Sequence, residues 1–204
     1  TFRGERRLQL EWVDFRLAEG QEIDTLIEKS ELEIIDYRAE PHPMSRLNAV
    51  RGKEDIQVWA EGPAKSKTNG KDRFQITPGG SLAIWTNPPG YWELQNVLQV
   101  VDPQKIYLFA YDPELDTSQA FLTRLSGLVK HVLRNKGSQT TFLELAAALV
   151  HRVGTVKMGI IWLIAKGFIH GDWDHTNEDD FRVSFQSGDG VERDNLSEIE
   201  AELI

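Results

Sequence analysis

The chain has 204 residues, 40% of them hydrophobic, which is enough for one large domain or two small ones with a buried core. It has no cysteine, which excludes disulfides, thiol nucleophiles and zinc sites with Cys ligands. No apolar run approaches the roughly 20 residues of a membrane-spanning helix, and residues 1–7 lack the apolar stretch of a signal peptide. We therefore expect a cytoplasmic protein without a membrane segment, and the opening Thr1 indicates a fragment of a longer chain.

The net charge of −9 is unevenly distributed along the chain. Residues 1–112 have a net charge of −4, residues 113–171 a net charge of +4, and residues 172–204 a net charge of −9. An acidic protein repels nucleic acid in general, but here a mildly basic middle precedes a strongly acidic end. The basic middle is therefore where we expect a site for an anionic partner.

The chain begins with a strand, helix, strand pattern. Residues 8–15 mix apolar and charged side chains as a strand does, and residues 23–27 carry apolar side chains at helical spacing. Residues 32–37 include two adjacent β-branched residues and predict a second strand. This order is typical of α/β proteins.

A second βαβ pattern follows. Residues 56–60 predict a short strand, and residues 62–72 lack apolar periodicity and predict a solvated loop. Residues 81–86 and 106–111 predict strands on either side of a helix with apolar positions from 92 to 101. Two apolar strands joined by one helix favour a small, mostly parallel sheet with covering helices.

After residue 112 the pattern becomes helical. Apolar positions from 121 to 133 predict a long amphipathic helix. Thr141, with Glu144 three residues later, predicts a capping box at the start of a second helix. Thr155 is predicted to cap a third helix.

The third helix leads into a hairpin and a tail. Extended patterns at 167–169 and 181–185 predict two paired strands. Three helices followed by a hairpin predict a winged helix-turn-helix over residues 113–186, after an α/β domain over residues 1–112. Residues 187–204 form an acidic C-terminal tail, predicted to be a flexible link with a weak helix.

The third helix is a poor candidate for reading DNA bases. A recognition helix needs hydrogen-bond donors at several exposed positions. Residues 156–166 have only Lys157 and Lys166 as cations and are apolar nearly all round. We therefore expect this helix to be mostly buried. For such a module, contact with another protein is the alternative to reading DNA.

The cations of the basic middle are the candidate partner-binding residues. Arg124, Lys130 and Arg134 belong to the first helix, and Arg152 and Lys157 lie near the start of the third. Lys130 and Arg134 share one helix face because they are four residues apart, so together they could clamp a phosphate or a carboxylate. A solvated helix face without a partner is the plain alternative.

Three other patterns in the sequence are candidate sites. Gly79-Gly80 precedes a strand but does not form the glycine-rich loop that binds phosphate at a helix start. No Ser or Cys stands in a recognisable nucleophile setting, so we predict no catalytic residue. A cluster of histidines and carboxylates could ligate a metal, but it matches no known metal motif, and we interpret it as an exposed acidic turn. The cluster comprises His170, Asp172, Asp174, His175, Glu178, Asp179 and Asp180.

Four segments resemble the C-terminal region of RecJ-type single-stranded-DNA exonucleases. The resemblance covers roughly residues 80–172. It lies in the order of the segments and in the kinds of residue that they contain, rather than in an invariant motif. The segments are Leu82-Ala-Ile-Trp-Thr-Asn-Pro-Pro, Asp102-Pro-Gln-Lys-Ile-Tyr-Leu-Phe, Phe121-Leu-Thr-Arg-Leu-Ser-Gly-Leu-Val-Lys, and Leu145-Ala-Ala through Trp162-Leu-Ile-Ala-Lys-Gly-Phe-Ile.

The resemblance implies a parent enzyme that degrades single-stranded DNA from 5′ to 3′ in DNA repair and recombination. In that family an N-terminal Asp-His-His domain binds the catalytic Mn²⁺ or Mg²⁺. Asp174-His175-Thr176 is not that motif, so the implied role of this chain is a non-catalytic accessory domain without a cofactor or metal of its own. Its implied partners are the acidic tail of single-stranded-DNA-binding protein and single-stranded DNA.

Two alternatives remain open, together with a hypothesis on the tail. The chain could be a stand-alone regulator whose α/β part senses a ligand and whose winged helix binds duplex DNA. It could also be an independent α/β enzyme with a pocket near Thr86 and Tyr111. Residues 198–204 are acidic and end apolar, like the proposed ligand, so the tail could fold back onto the basic middle.

Overall fold

The computed structural model describes residues 32–53, 55–114, 117–174 and 181–203, without the side chains of the last two. The strand predicted at 8–15 and the helix predicted at 23–27 lie outside these residues. The described residues form seven strands and seven helices, with the strands in two sheets. No single helix among them is both long and apolar enough to cross a lipid bilayer.

The first sheet is parallel throughout. Its strands are β1 (Glu33–Asp36), β2 (Gln57–Trp59), β3 (Ser81–Thr86) and β4 (Lys105–Tyr111), paired in the order β1-β4-β3-β2. Every residue of β3 is buried, as expected of a central strand with both faces covered. The predicted α/β class is thus confirmed, and each of these strands lies within two residues of its predicted position.

Helices cover both faces of this sheet: α1 (Pro43–Arg51), α2 (Pro63–Thr68) and α3 (Tyr91–Val101). Successive residues of β3 point to opposite faces because the side chains of a strand alternate. One face packs against α3 and the other against α1. The α3 side includes Leu82, Ile84, Val97 and Val101, and the α1 side includes Ala83, Trp85, Leu47 and Val50.

Helix α2 replaces part of the predicted solvated loop, so that prediction was wrong. Pro63 starts the helix with a pre-set backbone angle, and the Thr68 hydroxyl donates to the Ala64 carbonyl at 2.8 Å. Lys65 pairs with Asp72 at 2.6 Å. The helix has no apolar stripe because only Thr68 is buried, and local pairing stabilises it instead.

The second half of the described chain combines three helices with a small antiparallel sheet. The sheet has the order β5-β7-β6, and the pairing of β6 with β7 confirms the predicted hairpin. Strand β5 has three residues and was not predicted. The elements are α4 (Ser118–Asn135), β5 (Gln139–Thr141), α5 (Phe142–Leu149), α6 (Val153–Ala165), β6 (Ile169–Asp172) and β7 (Arg182–Ser187).

Two predicted helix caps have different outcomes. Thr141 does cap α5, and its hydroxyl accepts a hydrogen bond from the Glu144 backbone at 3.1 Å. Thr155 does not cap α6: the helix begins at Val153, after Arg152, and has no side-chain cap. The prediction for Thr155 was wrong because the turn before α6 ends three residues earlier than the sequence pattern indicates.

The acidic tail ends in α7 (Leu196–Leu203), which packs against α6. The linker before α7 was predicted to be flexible, but backbone hydrogen bonds hold it against the end of α6. The Gly190 amide donates to the Gly167 carbonyl at 2.8 Å, and the Arg193 amide donates to the Ala165 carbonyl at 2.7 Å. Gly167 has φ +71°, and a Cβ there would lie 2.4 Å from the Val191 carbonyl oxygen, so this close approach requires glycine.

Candidate functional site

Helix α4 is the long amphipathic helix that the sequence predicts. Its 18 residues begin after Thr117, whose hydroxyl accepts a hydrogen bond from the Ala120 backbone at 3.2 Å. One face packs into the core of the helical half, with Leu125 and Val129 almost completely buried. The opposite face is therefore held in a fixed orientation towards solvent.

The exposed face of α4 is basic and carries no acid. Arg124, Lys130 and Arg134 are all exposed, and the helix contains no Asp or Glu. We call these three residues the α4 basic face. Within the part of the chain that the structure describes, none of the three forms an ion pair with a carboxylate.

Lys130 and Arg134 line one cavity of about 420 Å³ between α4 and the end of β7. Their spacing of four residues places them one above the other on the helix. The cavity also includes Leu133, which is half-buried, and Phe185, which is 1% exposed and therefore offers almost no surface to a ligand. The two cations thus line a mostly polar cavity, which Ser138, Gln186 and Ser187 complete.

Arg124 lies at the other end of the α4 basic face. It lines a separate, shallow cavity with Thr123, Gly127 and His131. Arg124 and Arg134 lie ten positions apart, which corresponds to roughly 15 Å along the helix axis. The face is therefore long enough to contact several charges of an extended anionic ligand.

Arg152 and Lys157 lie away from the α4 basic face. Arg152 is exposed and lines a cleft of about 600 Å³ with Phe74 and Glu93 from the α/β half. The ammonium of Lys157 lies 5.3 Å from the centroid of the Phe142 ring, in cation–π range. The structure brings Lys130 and Arg134 together in one cavity but does not add these two cations to it.

Lys136, just beyond α4, is neutralised by Glu144. The ammonium lies 3.1 Å from Glu144 Oε2, which also accepts a hydrogen bond from the Thr140 hydroxyl at 2.6 Å. The Thr140 hydrogen bond and, to a lesser extent, Lys136 lower the pKa of the Glu144 carboxyl. Because Lys136 is paired with Glu144, it is not counted with the unpaired cations of the α4 basic face.

The acidic tail packs on α6 and pairs with Lys166. Lys166 lies 3.0 Å from Glu192 and 3.5 Å from Glu200, and the hydrogen bond to Glu192 is the main cause of the raised pKa of Lys166. Arg193 pairs with Asp189 inside the tail at 2.8 Å. The tail does fold back onto the helical half, but its described carboxylates pair with Lys166 and Arg193 rather than with Lys130 or Arg134.

The predicted acidic turn is described only in part. His170, Asp172 and Asp174 belong to β6 and the residues after it, whereas residues 175–180 lie outside the described residues. Among the residues that are described, no three His, Asp or Glu side chains come together as metal ligands would.

Glu61 and Arg73 form a buried ion pair that sequence reasoning missed. The Glu61 side chain is 0% exposed and that of Arg73 is 5% exposed. Glu61 also accepts a hydrogen bond from Trp59 Nε1 at 2.8 Å, and its backbone amide donates to the Thr86 hydroxyl at 2.9 Å. Arg73 further donates to the Ala146 carbonyl in α5 at 3.4 Å, so the pair links the α/β half to the helical half.

Thr86 and Tyr111 are the residues near which the sequence allowed an enzyme pocket. Both make contacts within the fold. Thr86 is buried against Glu61, and the Tyr111 ring stacks on Trp85 at 5.1 Å. Comparisons with protein-family models, with curated proteins and with solved structures found no match for this chain.

Proposed function

We propose that this chain is a non-catalytic accessory domain of a RecJ-like 5′-to-3′ single-stranded-DNA exonuclease. In this proposal the α4 basic face docks an acidic peptide, the tail of single-stranded-DNA-binding protein. The observation that carries the proposal is the pair of exposed cations, Lys130 and Arg134, which line one cavity on a helix without acids.

The chemistry of the cavity suits a peptide that is acidic and ends in an apolar residue. Carboxylates of such a peptide pair with the ammonium of Lys130 and the guanidinium of Arg134, and charge-assisted hydrogen bonds are the stronger kind. The apolar end contacts the half-buried Leu133. Docking at this position breaks none of the ion pairs formed between described residues.

The proposal treats the helical half as a winged helix-turn-helix. The order of three helices, a strand between the first two, and a closing hairpin supports this interpretation. In this arrangement α4 is the first helix and α6 occupies the position of the recognition helix.

The burial of α6 argues against the rival function, a regulator that reads duplex DNA. Gly154 is the only exposed residue of α6, and the rest of the helix is buried or half-buried. Helix α7 packs on the outer side of α6. Because a recognition helix must present donors to the major groove, we expect no tight, sequence-specific gel shift at about 0.1 M salt.

Fluorescence anisotropy with a labelled acidic peptide that ends in Phe tests the docking proposal. We expect the double variant Lys130→Glu plus Arg134→Glu to weaken binding by at least about tenfold, because it reverses both charges that the peptide contacts. Affinity should also fall as salt is raised. The matched control is Lys53→Glu plus Lys67→Glu, which makes the same charge change at two exposed lysines of the α/β half. Equal affinities for the two double variants would overturn the proposal.

The accessory role makes a separate prediction about activity. The chain on its own should not degrade single-stranded DNA in the presence of Mn²⁺ or Mg²⁺, because the metal-binding Asp-His-His motif of the resembled family is not in this sequence. Release of nucleotides from a labelled single strand would show that the chain carries its own catalytic site.

A further inference from the structure

Helix α7 covers one side of α6 through a small and well-defined contact. Leu196 and Ile199, three residues apart and each 8% exposed, pack against apolar side chains of α6. Beneath them on α6 lie Met158, Ile161 and Trp162. Without α7, an apolar strip of α6 that includes an indole ring would face solvent.

Polar contacts surround this apolar strip and favour an acidic ligand. Glu200 accepts a hydrogen bond from Trp162 Nε1 at 3.2 Å and lies 3.5 Å from the Lys166 ammonium. The Lys166 ammonium also lies 5.7 Å from the centroid of the Trp162 ring. The outer side of α6 thus offers an apolar strip, an indole donor and a cation to an amphipathic helix with carboxylates.

The hydrogen bonds that fix the linker do not involve α7. The hydrogen bonds of the linker to Gly167 and Ala165 involve residues 190 and 193, all before α7 begins at Leu196. A helix of eight residues is marginal in water by itself, so α7 depends on its contact with α6. It can therefore leave α6 without disrupting the linker or the β6–β7 hairpin.

We propose that the outer side of α6 is a docking surface for an acidic amphipathic helix of a partner protein, and that α7 is its exchangeable intramolecular occupant. This surface is distinct from the α4 basic face and does not depend on the function proposed for that face. The partner helix would carry two apolar residues three or four positions apart and a carboxylate aligned with Lys166.

The test uses the full chain with α7 detached by Leu196→Asp plus Ile199→Asp, and a labelled peptide of residues 188–204 as the probe. A tethered segment competes at an effective concentration on the order of millimolar, so the peptide should bind the detached variant at least about tenfold more tightly than the unaltered chain. Adding Lys166→Glu to the detached variant should abolish this gain. A peptide with the same two Asp substitutions is the matched control and should show no gain in affinity when α7 is detached; binding that it shows equally to both chains reports the α4 basic face.

The outcomes separate this inference from the proposed function. Adding Lys130→Glu plus Arg134→Glu to both chains should preserve the gain in peptide affinity that follows detachment of α7; loss of the gain would place the peptide on the α4 basic face and overturn the inference. Equal binding to the detached and unaltered chains, or binding to neither, would also overturn it.

Hydrogen exchange on the unaltered chain provides a second measurement in case the detached variant does not fold. Amides of α7 should exchange at least about a hundredfold faster than those around Leu163 in α6, because local opening of α7 costs less than global unfolding. Protection of α7 equal to that of α6 would show that α7 is a fixed part of the core and not an exchangeable occupant.

Discussion

At the scale of single residues, the buried pair of Glu61 and Arg73 has the largest predicted effect on stability. Glu61 follows β2 at the carboxyl edge of the parallel sheet, where its side chain is completely buried. Arg73 neutralises it and also bonds to the Ala146 carbonyl of α5. One guanidinium therefore satisfies a buried charge and joins the two halves of the chain.

Removing Arg73 should destabilise the fold strongly. The variant Arg73→Ala leaves the Glu61 carboxylate buried without its cation, which should lower the free energy of unfolding by about 3–5 kcal/mol. Urea denaturation followed by circular dichroism measures the change. The control is Arg38→Ala, which removes an exposed ion pair with Asp36 and should shift the midpoint much less. Similar shifts for the two variants would mean that the buried pair is not a major contributor.

This pair also shows where sequence reasoning reaches its limit. Glu61 and Arg73 lie twelve residues apart in a stretch without periodicity, so nothing local indicates that they meet. In contrast, Lys130 and Arg134 were predicted to share a face from their spacing alone, because a helix fixes the relative positions of residues four apart. The cavity that they line could not be predicted, since residues 185–187 on its other side come from β7, about fifty residues later in the chain.

At the scale of elements, segments with an apolar periodicity were predicted well and short segments without one were not. Helix α4 and strands β3 and β4 have long apolar patterns, and each was found near its predicted bounds. Helix α2 and strand β5 were missed because local hydrogen bonding and an ion pair stabilise the helix, and a neighbouring strand stabilises β5, without an apolar pattern in either. Only one of the two hydrogen bonds of the predicted capping box at α5 is present. Thr141 caps the helix, but the Glu144 carboxylate accepts a hydrogen bond from the Thr140 hydroxyl.

The two predicted caps give a test at this scale. Thr141→Ala removes a hydroxyl that accepts the Glu144 amide hydrogen bond, and should lower the free energy of unfolding by about 1 kcal/mol. Thr155→Ala is the matched control, because Thr155 lies inside the first turn of α6 and does not cap it. Thermal unfolding of both variants measures the difference, and a larger loss for Thr155→Ala would contradict the cap assignment.

At the scale of the whole molecule, charge is segregated onto separate surfaces. The acidic tail is used within the chain, where Glu192 and Glu200 pair with Lys166 on α6. The α4 basic face keeps its cations unpaired within the described residues. A chain with a net charge of −9 can therefore still present a local positive surface to an anionic partner. At 0.1 M salt, exposed charges more than about 10 Å apart are largely screened from each other, so the acidic residues elsewhere have little effect on this surface.

The most direct test of the docking account is a titration of the ¹⁵N-labelled chain with the acidic peptide, followed by amide chemical shifts. The account predicts the largest shift changes at Lys130, Leu133 and Arg134 and across the cavity at residues 185–187, and their loss in the variant Lys130→Glu plus Arg134→Glu. Largest changes at Arg152 in the cleft between the two halves, or no changes at saturating peptide, would contradict it.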